Sequence, residues 1–169
     1  MDVEQAIRGR RTHKRFGREP VPREVVEELL ELARWAPNHH LTEPWRFRVL
    51  GPESLARLAA AGREGEAEKL GRAPTLVVAS ALLTGDEHQS HEDVLATACA
   101  AYIVLLAAHA RGLASYWRTP RVLQTPEGRA AIGMGEDERF VALLHLGSPV
   151  DAPRGRSRRP VEDYVEFLD

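Results

Sequence analysis

Residues 92–110 (EDVLATACAAYIVLLAAHA) have helical character and almost no polar face. A helix apolar nearly all round cannot lie on a solvated surface, so it belongs in the middle of the molecule or at a subunit contact. The rest of the chain must wrap around it. Ser90 and Asp93 have capping-box spacing, which predicts a helix from there to about Arg111, with Gly112 as its stop. Cys99, the one cysteine, sits inside this stretch and is expected as a buried small hydrophobe.

A second constraint is the run 75–83 (TLVVASALL), continuous and partly β-branched, as in a central strand covered on both faces. Residues 140–146 (FVALLHL) form a similar strand, and 45–50 and 114–118 read as shorter ones. A short helix follows Asp2, with Gln5 at the capping-box position and Val3, Ala6 and Ile7 facing inward. A clearer helix begins near Pro22, where Val25, Val26, Leu29, Leu30, Leu32 and Ala33 form one face. Residues 53–72 suit one or two surface helices interrupted near Gly62 and Gly65, and Thr125-Pro126 starts another short one. The sum is a single α+β domain over residues 1–169, with three layers and about four core strands.

Composition narrows the function classes. With 169 residues, 43% of them hydrophobic, the chain can bury a core without disulfides. The first residues lack the apolar segment of a signal peptide, and no apolar run approaches the roughly 18 residues of a membrane span. A cytoplasmic protein is therefore expected, with no membrane partner. The net charge of −2 hides two basic clusters. Residues 8–18 hold Arg8, Arg10, Arg11, Lys14, Arg15 and Arg18 without an acid, and residues 154–159 hold Arg154, Arg156, Arg158 and Arg159. Two such clusters in a mildly acidic chain point to a local anion site rather than a nucleic-acid surface. A phosphate would suit Arg10, Arg11 and Thr12, through guanidinium forks and a hydroxyl. A solvated basic stretch is the alternative that these residues leave open.

No glycine-rich nucleotide loop is present, so any phosphate must be held by side chains. His88 and His91 lie among acids at a helix start, where acids are favoured without a metal, and no HExxH or cysteine pair accompanies them. No metal site is expected. A GxSxG elbow is also missing. Enzymatic chemistry would have to come from a cofactor, which leaves the catalytic side chains unassigned.

Four segments, in order, resemble the nitroreductase family of flavoproteins. They are RRTHKRF, with Thr12 in place of serine; ARWAPNHHLTEPWRF over residues 33–47; ARGLASYWR after the long helix; and LHLGSP followed by RSRRPVEDYV. The resemblance covers nearly the whole chain. It implies a nitroreductase-like three-layer fold, a central, mostly antiparallel sheet flanked by helices, in an intertwined homodimer with FMN at the subunit interface. On the same resemblance, Arg10, Arg11 and Thr12 would bind the phosphate and ribityl end of FMN. Trp35 and His39 would contact the flavin, His39 reaching that of the partner. Tyr116, Trp117 and Arg118 would line the site, and Arg156 and Arg158 would help hold the phosphate.

The implied function is FMN-dependent NAD(P)H oxidoreduction by a ping-pong mechanism, with hydride passing through flavin N5 to a nitroaromatic, quinone or enone. An FMN store or sensor without turnover is the alternative. Departures from the family pattern lie at Leu41, where asparagine is common, at Glu43, where glutamine is common, and at Trp35, where arginine is usual. The tail 150–169 ends in Val161, Tyr164, Val165, Phe167 and Leu168, which would pack either on a partner subunit or on their own domain.

Overall fold

The computed structural model describes residues 1–153, 155 and 157–168. Helix α1 (Val3–Gly9) opens with a complete capping box. The Gln5 amide donates to Asp2 Oδ1 at 2.7 Å, and the Asp2 amide donates to Gln5 Oε1 at 3.1 Å. Only Ala6 of this helix is buried; Val3 and Ile7 are exposed, contrary to the inward face read from the sequence. Seven residues make too few turns to bury a full apolar stripe, so one small side chain docks and the larger ones stay outside.

Helix α2 (Arg23–Ala33) buries Val26, Leu29 and Ala33. Strand β1 (Trp45–Val49), helices α3 (Pro52–Ala61) and α4 (Glu66–Leu70), and strand β2 (Thr75–Leu82) follow. Helix α5 (Glu87–Ala110), strand β3 (Ala114–Arg118), helix α6 (Pro126–Ala131) and strand β4 (Glu138–Gly147) complete the core. Neighbouring strands pair antiparallel in the order β1-β2-β4-β3. Strands β2 and β4 are central and covered on both faces, as their uninterrupted apolar sequences require.

Alternation along the strands divides the core in two. Val77, Ala79, Ala142, Leu144 and Leu146 pack with α2 and α5 on one face. Leu76, Val78 and Leu143 pack on the other with Leu58 of α3, Leu70 of α4 and Ala131 of α6. The α+β expectation of three layers about a four-stranded antiparallel sheet is met.

Helix α5 starts earlier than its sequence suggested. Asp86 caps it, accepting from the Gln89 amide at 2.9 Å, so Ser90 and Asp93 lie inside the helix. Asp93 is instead buried against the loop before β1, for reasons taken up below. The helix is also long and apolar enough to cross a membrane by length and composition, which corrects the reading of the apolar runs; half of that window is buried inside the protein. Leu95, Cys99 and Tyr102 share its outer side and are exposed. Cys99 is therefore not a core residue: the helix is apolar on two sides, but its own chain covers only one of them.

His145, in the middle of β4, is fully buried, and neither ring nitrogen has a hydrogen-bond partner among the described residues. The rings of Phe16 and Tyr116 lie 6.3 and 5.7 Å away. Loss of solvation, and then the charges of Arg118 and Arg72, lower its pKa from 6.5 to about 3. Between those values the unfolded chain binds a proton that the folded chain refuses. This contribution to stability is complete above pH 6.5 and is lost as pH falls toward 3, by about 1.4 kcal/mol per pH unit. Urea unfolding at pH 7 and pH 4.5 is expected to give a marked loss that His145→Leu largely removes; an equal loss in both proteins would refute it.

Candidate functional site

The residues after α1 turn along the free edge of β3. Thr12 bridges Ser115 in parallel, and the His13 amide donates to the Ser115 carbonyl at 3.0 Å. This contact brings the first basic cluster against the start of the tail, because β4 ends beside it. Together they enclose a cleft of about 820 Å³. Arg10, Arg11, Thr12, Lys14, Arg15 and Arg158 line it, with Asp151 as the single acid among its described lining residues. Arg15 pairs with Asp151 at 3.7 Å. Arg11 Nη1 donates to the carbonyls of Arg8 and Arg10 at 2.6 and 3.0 Å, which holds its guanidinium at the C-terminal end of α1. Among the described residues Arg10 and Lys14 form no side-chain hydrogen bond or ion pair. Among its described lining residues cations outnumber the one acid, so the cleft has the chemistry of an anion site.

The structure thus gathers Arg10, Arg11, Thr12 and Arg158. Lys14 and Arg15 join them; both stood in the basic run read from the sequence but were not singled out. Arg156 lies outside the described residues. The neighbouring His13 is buried, and desolvation, with the charges of His109 and Arg10, outweighs Asp151 to hold its pKa below the usual value.

The other singled-out residues lie elsewhere. Trp35, 77% exposed past the end of α2, borders a shallow apolar depression with Val3, Leu32, Ile103 and Leu106. His39 lies in a 3-10 turn (His39–Leu41) between α2 and β1. Its Nδ1 is 2.7 Å from Glu92 Oε2, and its ring stacks on His40 at 3.8 Å. That contact, against a smaller desolvation effect, holds the Glu92 carboxyl below its ordinary range. On β3, Tyr116 faces His145 and Trp117 packs toward the α2–α5 layer. The Arg118 guanidinium is engaged by Glu66 Oε1 at 3.3 Å and the Lys69 carbonyl at 3.2 Å. An arginine held to α4 in this way ties the sheet to a helix.

The segment around His39 carries unusual backbone. His40, Leu41 and Glu43 have φ of 54°, 51° and 43°. For non-glycine residues such conformations cost about 1 kcal/mol or more each, so the surroundings must enforce them. Asn38 Oδ1 accepts from the Glu43 amide at 2.9 Å, and Thr42 Oγ1 donates to Asp93 Oδ1 at 2.7 Å. Asp93 and Thr42 were missed by the sequence reading, because nothing local in NHHLTEP reveals a buried partner fifty residues away.

The sequence profile described as "Nitroreductase family" matches residues 7–65, the stretch holding both the basic turn and this loop. The Bacillus subtilis protein named Putative NAD(P)H nitroreductase YfhC is 31% identical, the match covering 93% of this chain and 89% of that protein. Among solved structures, the nitroreductase-like family protein from Bacillus cereus is 26% identical, with a TM-score of 0.91 over 100% of this chain and 97% of that one. A candidate nitroreductase from Desulfovibrio desulfuricans, solved in complex with FMN, is 28% identical, with a TM-score of 0.83 over 99% of this chain and 96% of that one. Basic turn, kinked loop, layered antiparallel sheet and near-full-length similarity agree, and the chain belongs to the nitroreductase family.

Proposed function

We propose that this chain is an FMN-dependent NAD(P)H oxidoreductase of the nitroreductase type, acting as a homodimer. One observation carries the proposal: the cleft formed by the 10–15 turn and the tail holds several cations against one carboxylate. The terminal phosphate of FMN is an anion of matching chemistry, and Arg10, Arg11, Thr12, Lys14 and Arg158 are the residues that would hold it. Bound FMN would supply hydride transfer at flavin N5, from NAD(P)H to a nitroaromatic, quinone or enone in a ping-pong cycle.

The protein's part is to bind and orient. Arg10 and Lys14 bring charge that no side chain among the described residues pairs with, and Arg11 is pre-positioned by two backbone carbonyls. Trp35 and His39 lie apart from this cleft, which fits a role on the flavin of a second copy. Exposed apolar groups support such a copy: Val3, Ile7, Leu32 and Trp35 on one side, Leu95 and Tyr102 on the outer side of α5. The tail supports it too, since Tyr164, Val165, Phe167 and Leu168 are exposed, Phe167 by 94%. The start of the tail lines the cleft of its own chain, and its apolar end, residues 161–168, is the part we assign to the partner subunit. Arg118 is withdrawn from the proposed flavin contacts because Glu66 engages it.

Steady-state oxidation of NADH or NADPH with menadione or nitrofurazone, together with the mass in solution, tests the proposal. The expected result is turnover by a yellow dimer that releases flavin on dilution to monomers. Flavin-loaded protein that consumes no NAD(P)H would assign the store or sensor role instead, and a stable yellow monomer would refute the interface site.

A further inference from the structure

Helix α5 passes behind the strained loop and presents two consecutive acids to it. Glu92 receives His39 at 2.7 Å, and Asp93 receives Thr42 at the same distance. The two are not equivalent. Glu92 lies near the surface, while Asp93 is 1% exposed. Asp93 Oδ1 also accepts from Gln89 Nε2 at 3.0 Å, and Oδ2 has no partner among the described residues. A carboxylate buried with one oxygen unpaired is costly, and an apolar side chain would serve the packing of α5 better. What the carboxylate offers is a strong, directional acceptor on the buried side of α5.

Thr42 is where that acceptor acts. It stands between Leu41 and Glu43, two of the three non-glycine residues with left-handed backbone, and the third, His40, is adjacent. All the non-glycine positive-φ residues described in the chain fall within these four positions. Strain confined to one short loop persists only where other contacts over-determine it. The Thr42–Asp93 hydrogen bond is the more enclosed of those contacts, half-buried, and Arg46 Nη1, which donates to the Glu43 carbonyl at 3.2 Å, is an exposed one.

We infer that Asp93 and Thr42 are positioning residues, which hold the His39–Glu43 loop in its strained shape so that its backbone is presented ready-made to the flavin ring. The inference rests on the functional reading above. It extends that reading to a pair with no direct part in the chemistry and accounts for Thr42 between the atypical Leu41 and Glu43. A support of this kind fixes geometry at the binding surface through a rigid element behind it.

The test compares Thr42→Val, Thr42→Ser and Asp93→Leu in the full chain. FMN affinity and the bound-flavin absorption spectrum are read by titration, and amide exchange of residues 39–43 is read without flavin. Thr42→Val is expected to weaken FMN binding by about tenfold, the factor of one lost charge-assisted hydrogen bond. It is also expected to shift the bound-flavin spectrum and speed loop exchange, with a lower melting temperature for the flavin-free protein because the buried Asp93 loses a partner. Thr42→Ser keeps the donor and stays near the parent, whereas Asp93→Leu follows Thr42→Val. Parent-like FMN affinity and spectrum in folded Thr42→Val, whatever its melting temperature, would overturn the inference. A parent protein that takes up no FMN would instead defeat the functional reading; the positioning contact would then be judged by amide exchange, and unchanged exchange in Thr42→Val would overturn it as well.

Discussion

Glu138→Ala is expected to destabilise the protein by about 3–5 kcal/mol, because it strands a half-buried guanidinium. Glu138 opens β4 almost fully buried. Arg48 of β1 spans β2 to reach it, with Nη1 and Nη2 at 2.7 and 2.5 Å from its two oxygens. Ser80 donates to the same carboxylate at 2.5 Å and the Gly135 amide at 3.1 Å. Arg48 also donates to the Gly133 carbonyl at 3.0 Å, while Arg129 holds the Gly135 and Glu138 carbonyls. Three strands and the turn before β4 therefore meet at one side chain, beside the register shift between Ala79 and Ser80. The measurement is the midpoint and slope of chemical unfolding. Pairing Glu138→Leu with Arg48→Met should recover part of the loss, since removing both charges leaves no ion buried alone. A loss below 1 kcal/mol in the single variant would contradict this account.

The same carboxylate extends the acid response of His145. Burial opposes its ionisation, but hydrogen bonds from Arg48, Ser80 and the Gly135 amide, with the charge of Arg48, outweigh burial and lower its pKa from 4.5 to about 2. A depressed carboxylate contributes stability that is complete above pH 4.5 and lost as pH falls toward 2. Stability should thus decline in two overlapping stages, first with His145 and then with Glu138.

Arg10→Ala is the second large prediction. It should weaken FMN binding by about 1.5–3 kcal/mol, the range for a hydrogen bond to a charged group, and leave riboflavin binding nearly unchanged. Arg10 is the clean choice because its guanidinium makes no hydrogen bond or ion pair within the described residues. Arg11→Ala would release the Arg8 and Arg10 carbonyls as well, so its loss mixes ligand binding with helix stability. Equal losses for FMN and riboflavin would move the role of Arg10 away from the phosphate.

Much of this architecture was legible in the sequence for a simple reason. The apolar run of β2 and the caps at Asp2 and Thr125 are decided by neighbours within a few residues, and patterning reports such neighbours well. The basic turn was legible too, because six cations without an acid stand out in any chain of near-neutral charge. What failed depended on distance or on cover that patterning cannot see. Val3, Ile7 and Cys99 carry apolar side chains that patterning assigns to a core, and among the described residues they are exposed. The pairing of Arg118 with Glu66, fifty-two residues earlier, was likewise out of reach of local patterning. Asp93 looked like a helix cap, because capping and burial against a remote loop ask for the same residue type.

Parallel titration of the flavin-free protein with FMN and with riboflavin tests the central claim most directly. The phosphate is the one difference between the two ligands, and on the proposed function it is the group that the cation cleft would meet. The account predicts a yellow complex with FMN, bound at least about tenfold more tightly than riboflavin, with that preference reduced in Arg10→Ala and by added salt. Protein that stays colourless in excess FMN, or that binds the two flavins equally, would contradict it.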